Sequence, residues 1–179
     1  MMSQVLSRKT CTSITALVWF FSSLLAIVGC QSQAIAQVCQ TRAYVIDPDP
    51  QGLNVRNQPN SQSEIIGNLP LYTEVNVLEH QNNWLFISPI NPELQEVDFQ
   101  GEGWVYASLL GLNTRGYNSN NVALYSEPRE TSEVVGYAES SSSVTMVSCS
   151  GEWVLVRSKN IQGWLNPEEQ CAAALTTCP

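Results

Sequence analysis

The chain predicts an all-β fold of two small barrels in tandem, preceded by an export signal. Three observations carry that reading. The segment LNVRNQPNSQSEIIGNLPLYTEVNVLEHQNNW returns 69 positions later as VALYSEPRETSEVVGYAESSSSVTMVSCSGEW. In that alignment Pro59 falls on Pro128, Ser63 on Ser132, Gly67 on Gly136, Val75 on Val144 and Trp84 on Trp153. Each copy closes on a Gly-Trp-aliphatic step, Gly103-Trp104-Val105 and Gly163-Trp164-Leu165. Helical periodicity is absent, and apolar residues come in short runs separated by turn residues. A duplication of this length is one supersecondary package used twice. Short strands at this spacing argue small barrels.

The first element is the signal. Arg8 and Lys9 precede an uncharged run from Ile14 to Gly29, the charged-then-apolar order of a secretory leader. That run falls short of the roughly 20 residues a spanning helix needs, although a retained anchor is the alternative. Two cleavage sites compete. Ile27-Val28-Gly29-Cys30 has the form of a lipobox, which would end a lipoprotein signal of residues 1–29 and attach a lipid to Cys30. Ala34-Ile35-Ala36 would end a signal peptide of residues 1–36 and release a soluble protein starting at Gln37. Either way the expected location is beyond the membrane: periplasm, envelope or medium, with membrane attachment only through an N-terminal lipid.

Repeat 1 is placed at 40–111, repeat 2 at 117–171 and a tail at 172–179. Gln31 to Gln40 reads as a polar lead. Strands are expected at Tyr44–Ile46, Leu53–Val55, Glu74–Leu78, Trp84–Ile87 and Trp104–Tyr106, then at Val144–Val147, Trp153–Val156 and Trp164–Leu165. Turn chemistry separates them, as in Asp47-Pro48-Asp49-Pro50 and Gln81-Asn82-Asn83. Gly111 to Asn121, rich in Gly and Asn, reads as a linker. The tail offers one helical turn around Ala172-Ala173-Ala174. Units this small are marginal alone, so the two tryptophans of each repeat are expected to fill much of its core.

Four cysteines remain beyond the signal: Cys39, Cys149, Cys171 and Cys178. An even number in an oxidising compartment implies two disulfides, of which three pairings exist. The favoured pairing is Cys149 with Cys171 and Cys39 with Cys178; a small Cys171–Cys178 loop is the rival. No C-x-x-C spacing suggests a metal, so neither metal nor cofactor is expected. Past the signal, six basic residues face 16 acidic ones, a net charge of −10. Such a surface repels phosphate backbones, which argues against nucleic acid as partner.

Leu53-Asn54-Val55-Arg56, Pro59, Ile65-Ile66-Gly67, Val75-Asn76-Val77-Leu78, Trp84 and Gly103-Trp104-Val105 together resemble the bacterial SH3 (SH3b) pattern. Repeat 2 departs from it at Val122-Ala123-Leu124-Tyr125 and returns to it at Pro128, Gly136, Trp153 and Gly163-Trp164. The resemblance implies two SH3-like β-barrels of five or six strands each. It also implies an exported, non-catalytic binding role, often toward cell-wall peptidoglycan or its peptides.

Repeat 1 carries nine more residues than repeat 2 between its tryptophans, within Ser88 to Glu102. The insertion has two prolines near its start and contains Glu93, Glu96, Asp98 and Glu102. A solvated hairpin tip is expected; a surface for a cationic partner or Ca²⁺ is the alternative, though the ligand spacing of a known calcium loop is absent. Catalytic chemistry finds little material. His80, the single histidine, stands at a strand end and is expected to be exposed and idle, so nucleophilic triads lack a base. Paired carboxylates are available, but small barrels offer no cleft for a sugar chain. A binding groove is better supplied, by Tyr72, Trp84, Trp104 and Tyr106, aromatic side chains that include polar-tipped rings. In repeat 2, Ser141 and Asn166 replace the two tyrosines, so a second groove would be poorer. Three functions follow: docking on peptidoglycan or its peptides, interaction with an exported protein or peptide, and, more remotely, cell-wall hydrolysis.

Overall fold

The computed structural model describes residues 36–116 and 119–175. The expected export signal, Cys30 and Cys178 lie outside the described residues. Repeat 1 comprises β1 (Gln37–Val45), β2 (Leu53–Arg56), β3 (Ile65–Leu69), β4 (Glu74–Gln81), β5 (Trp84–Pro89), β6 (Gly103–Tyr106), a 3₁₀ turn η1 (Ala107–Leu109) and β7 (Leu110–Thr114). Repeat 2 continues with β8 (Asn121–Tyr125), β9 (Val134–Glu139), β10 (Ser143–Ser150), β11 (Trp153–Ser158), β12 (Ile161–Leu165), η2 (Pro167–Glu169) and β13 (Gln170–Cys171). The all-β expectation holds, and the strands follow the alternating runs of the sequence.

Inward positions obey the period-2 rule of a half-buried strand. In repeat 1, Leu53, Val55, Leu69, Val75, Val77, Leu85, Ile87 and Val105 are almost wholly buried. Their counterparts in repeat 2 are Val122, Leu124, Ala138, Val144, Met146, Val154, Val156 and Leu165, buried to the same degree. The tryptophans are not among them. Trp84, Trp104, Trp153 and Trp164 are half-buried, which corrects the expectation of indole-filled cores. Parity explains the difference: Leu85, Val105, Val154 and Leu165 take the inward positions, so each adjacent indole must point outward. The interior holds branched aliphatic chains, and the rings cover the barrel from outside.

The glycine before Trp104 and Trp164 has a steric cause. A Cβ on Gly103 would stand 2.5 Å from Val55 Cγ1, and one on Gly163 2.8 Å from both Leu124 Cβ and Val135 Cγ2. Gly67 and Gly136 form a second such pair. The Gly136 backbone is covered by Ile161, that of Gly67 by Phe99 from the insertion. The insertion is therefore not a solvated tip throughout. Val97 is buried and Phe99 packs against the core. Gln95 Oε1 accepts from the Glu74 N–H at 2.7 Å, and its amide donates to the carbonyls of Ile90 and Glu74. An apolar pair and one amide side chain fold the segment back onto its own barrel.

The expected linker, Gly111 to Asn121, is strand at both ends: its last residue opens β8 and its first four close β7. Gly111 to Thr114 belong to β7, and β7 serves both repeats. Its partner on one side is β1, with Tyr44 opposite Gly111 and Val45 opposite Leu110. On the other it pairs with β10, with Val144 opposite Leu112 and Ser143 opposite Asn113. β13 then pairs with β7, Cys171 opposite Asn113, as β7 pairs with β1. The last strand of repeat 1 is thus the first strand of repeat 2. The sheet runs without a break in the order β3-β2-β6-β5-β4-β1-β7-β10-β11-β12-β8-β9. The core residues of both repeats, together with Ala43, Leu110 and Leu112 of β1 and β7, belong to one buried cluster, not two separate shells.

Further ties fix the junction. Of the expected polar lead, Gln37 to Gln40 belong to β1, and Cys39 forms a disulfide with Cys149 of β10. This corrects the expected Cys149–Cys171 and Cys39–Cys178 pairings. The physical reason is strand placement: Cys39 and Gly151 form a bridge, with Gln40 N–H donating to Gly151 O at 2.7 Å and Gly151 N–H to Val38 O at 3.0 Å. That brings the Cα atoms of Cys39 and Cys149 to 5.6 Å, inside the usual bridging distance. Cys171 is also disulfide-bonded. The Tyr44 hydroxyl donates to Asn113 Oδ1 at 2.8 Å and lies 2.9 Å from Ser143 Oγ, linking β1, β7 and β10; burial raises its pKa. The helical turn expected around Ala172-Ala173-Ala174 does not form; the short turn η2 at Pro167–Glu169 belongs to repeat 2, where Asn166 caps it by accepting from Glu168 N–H at 2.9 Å and Pro167 presets its first position.

His80 is half-buried at this junction, not exposed. Its Nδ1 lies 3.2 Å from Ser148 Oγ, and Ser148 is buried in β10. Burial lowers its pKa below the ordinary 6.5, against a smaller opposing effect from a backbone hydrogen bond at Asn82. The unfolded chain therefore takes up the proton first as pH falls. The associated stability is complete above the unfolded pKa and is lost as pH drops below it toward the folded value. Urea midpoints at pH 7.5 and 5.5 should fall more for the native chain than for His80→Asn; equal falls would refute this.

Candidate ligand-binding cleft

The cleft in repeat 1 is built by two loops and one hairpin. β5 and β6 are antiparallel with Trp84 opposite Tyr106, and both side chains point outward because Leu85 and Val105 take the core. Their rings meet edge to face, centroids 5.5 Å apart at 76°, a favourable arrangement for aromatic quadrupoles. The loop between β1 and β2 contributes Asp47, and the loop between β2 and β3 contributes Pro59, Asn60 and Ser61. Leu53 and Leu109 line the apolar part, and Asn54 and Arg56 complete a volume of about 470 Å³.

Both loops are fixed by their own polar groups. Asp47 Oδ1 accepts from Asp49 N–H at 3.1 Å, and Asp49 Oδ1 from Gln51 N–H at 2.9 Å. Asn60 Oδ1 accepts from Gln62 N–H at 3.0 Å, and Ser63 Oγ donates to the carbonyls of Gln58 and Asn60. Arg56 Nη1 donates to Ser63 O at 2.6 Å, holding the guanidinium at the cleft. Ser132 repeats the role of Ser63 by donating to the carbonyls of Glu127 and Arg129. That shared turn accounts for the Pro and Ser matches between the copies.

The structure brings together part of the expected groove. Trp84 and Tyr106 form its wall. Trp104 lies one register step away on the same outer surface, its ring tilted at 49° to that of Phe86 with centroids 5.1 Å apart, and opposite Arg56. Tyr72 does not line the cleft. It sits in the turn before β4 with φ +68°, near Tyr44 at 6.5 Å. The equivalent turn residue in repeat 2, Ser141, has φ +53°, so this position is selected for a turn. Sequence reading missed Arg56, Asp47, Asn54 and the apolar lining of Leu53 and Leu109. The signal available for them is the Leu-Asn-Val-Arg run, whose alternation sends Asn54 and Arg56 outward.

In repeat 2 the aromatic pair is rebuilt with a different residue. Tyr125, at the position of Arg56, packs edge to face on Trp153 with centroids 5.7 Å apart. Asn166, at the position of Tyr106, instead donates to Glu130 Oε1 at 2.5 Å. That bond joins the loop after β8 to the end of β12, across the region that corresponds to the open side of the first cleft.

Residues 51–111 and 120–168 match the bacterial SH3 domain family, and the chain belongs to it. No curated protein matches the chain. Among solved structures, NlpC2 from Trichomonas vaginalis is similar at 14% identity, covering 73% of this chain and 47% of that one, with a TM-score of 0.31. NlpC1 from the same organism gives 16% identity, 73% and 45% coverage and a TM-score of 0.30. An NlpC/P60 family protein from Bacillus cereus gives 13%, 72% and 55%, and 0.29. This chain spans about half the length of each.

Proposed function

We propose that the protein is a non-catalytic binding module of the cell envelope, whose first repeat docks on peptidoglycan or its peptides. The observation that carries this reading is the pre-set cleft in which Trp84 and Tyr106 meet edge to face at 76° beside Arg56 and Asp47. Rings of this kind take up the apolar part of an extended ligand, while a few fixed polar groups set its direction. A guanidinium can hold a ligand carboxylate, and a carboxylate an ammonium. Peptides of the wall carry both. Family membership supports the binding role, and the buried Cys39–Cys149 disulfide suits an oxidising compartment.

Co-sedimentation with purified sacculi tests it. The native protein should pellet with them. Trp84→Ala and Tyr106→Ala should each weaken retention by about tenfold or more, the scale of a central aromatic contact, with far-UV circular dichroism unchanged. A native protein that stays in the supernatant would remove the proposal. A second reading, docking of an exported protein, draws on β9, which among the described strands pairs with β8 alone and exposes Val135 and Tyr137. An open strand edge can accept a partner strand. A specific pull-down that survives wall digestion would favour it.

A further inference from the structure

Tyr106 borders two depressions. One is the cleft of repeat 1. The other, of about 240 Å³, lies between the repeats, where Asn83 and Ser108 of the first face Val147 and Arg157 of the second. The two adjoin. Tyr106 lines both, and consecutive residues divide between them, Trp84 and Leu109 facing the cleft, Asn83 and Ser108 the notch. Because β7 belongs to both barrels, this juxtaposition is set by the fold and not by chance docking.

The charges are placed unevenly. Only six basic residues follow the signal region. Arg129 and Lys159 are paired with Glu127 and Glu139. Arg56 and Arg157 instead donate to neutral acceptors, Ser63 O and Gln162 Oε1, the latter at 3.1 Å. These two line the adjoining depressions. In the cleft Arg56 shares the space with Asp47, which offsets it. In the notch Arg157 is the one charged lining residue among the described residues, and none of its described lining residues is a carboxylate.

Building on the proposed envelope role, we propose that the ligand site is composite: a peptide lies over Tyr106 from the first cleft into the notch, and its terminal carboxylate is bound by Arg157 of the second repeat. Apolar side chains of the peptide rest on Trp84 and Tyr106, and an ammonium group faces Asp47. The planar guanidinium suits a carboxylate through two parallel hydrogen bonds. A carboxylate also fits better than a phosphate polymer, which the strongly acidic surface repels. Repeat 2 then contributes specificity for a free peptide end without needing a groove of its own.

The test uses the stem pentapeptide L-Ala-γ-D-Glu-L-Lys-D-Ala-D-Ala and the same peptide ending in an amide, titrated calorimetrically into the mature protein and into Arg157→Ala. The native protein should prefer the free acid by about fivefold, the scale of an exposed ion pair with good geometry, and added salt should erode that preference. Arg157→Ala should lose the preference while binding the amide as before; Arg157→Lys should keep part of it. Equal affinities of native protein and Arg157→Ala for the free acid would overturn the proposal, and so would equal losses on both peptides. Native protein that pellets with sacculi but binds neither peptide overturns the composite peptide site and leaves wall docking standing; failure to pellet removes both.

Discussion

A fragment of residues 117–179 will not fold, whereas one of residues 107–179 will. The first matches repeat 2 as its internal similarity delimits it; the second adds η1 and β7. The difference lies in the shared strand. Without β7, the Val144 and Ser143 positions of β10 lose their partners Leu112 and Asn113, and β13 loses its one partner strand among the described residues. Leu110 and Leu112, both fully buried, vanish from the core at about 2 to 3 kcal/mol each by area. Losses of that order exceed what a unit of this size holds in reserve. Far-UV circular dichroism and amide-proton dispersion should show a coil for the shorter fragment and a cooperative fold for the longer. A folded 117–179 fragment would refute the shared strand. Leu112→Ala in the full chain is the milder version and should cost about 2 to 5 kcal/mol.

The sequence made the barrels legible because strand parity, turn residues and the 69-residue shift all agree, and each is local. Gly103 and Gly163 announce close approaches, and Ser63 and Ser132 a common turn. What stayed hidden was everything decided by the meeting of two copies. Gly111 to Thr114 carry Gly and Asn, which read as a connection, yet Leu110 and Leu112 alternate as a strand does. The doubling of β7 becomes visible only when Tyr44 and Asn113 are seen as equivalents, and their side chains have no chemistry in common to reveal it. His80 looked idle for the same reason, since Ser148, its partner, is 68 residues distant. The tryptophans misled by size: large apolar area suggests a core, but each follows a residue pattern that sends it outward. In the cleft, Trp84 and Tyr106 were legible as rings with polar tips, while Arg56 and Asp47 depended on loop paths that composition does not give.

Removing the Cys39–Cys149 disulfide should produce the largest stability loss of any conservative pair of changes in the chain. The bridge spans a separation of 110 residues and joins the first strand of repeat 1 to the fourth-from-last of the sheet's strands in chain order. In the chain-entropy account, closing a loop of this length restricts the unfolded state by about 4 to 5 kcal/mol, and measured losses on removing native disulfides run about 2 to 5. Cys39→Ser with Cys149→Ser should therefore lower stability by several kcal/mol, and the serine hydroxyl at position 149 adds a polar group where exposure is 0%. Alanine at both positions isolates the crosslink from that penalty and should recover part of the loss. The native protein in reducing agent should approach the alanine variant. Because β1 stays hydrogen-bonded to β4 through Ala43 and Val75, it should remain docked on repeat 1 while its contact with Gly151 loosens, and amide exchange should rise first at Gln40 and Gly151. Urea unfolding measures the energy and exchange locates it. If the double-alanine variant unfolds at the native midpoint, the bridge is a bystander, and the shared strand with the hydrogen bonds beside it holds the two barrels together.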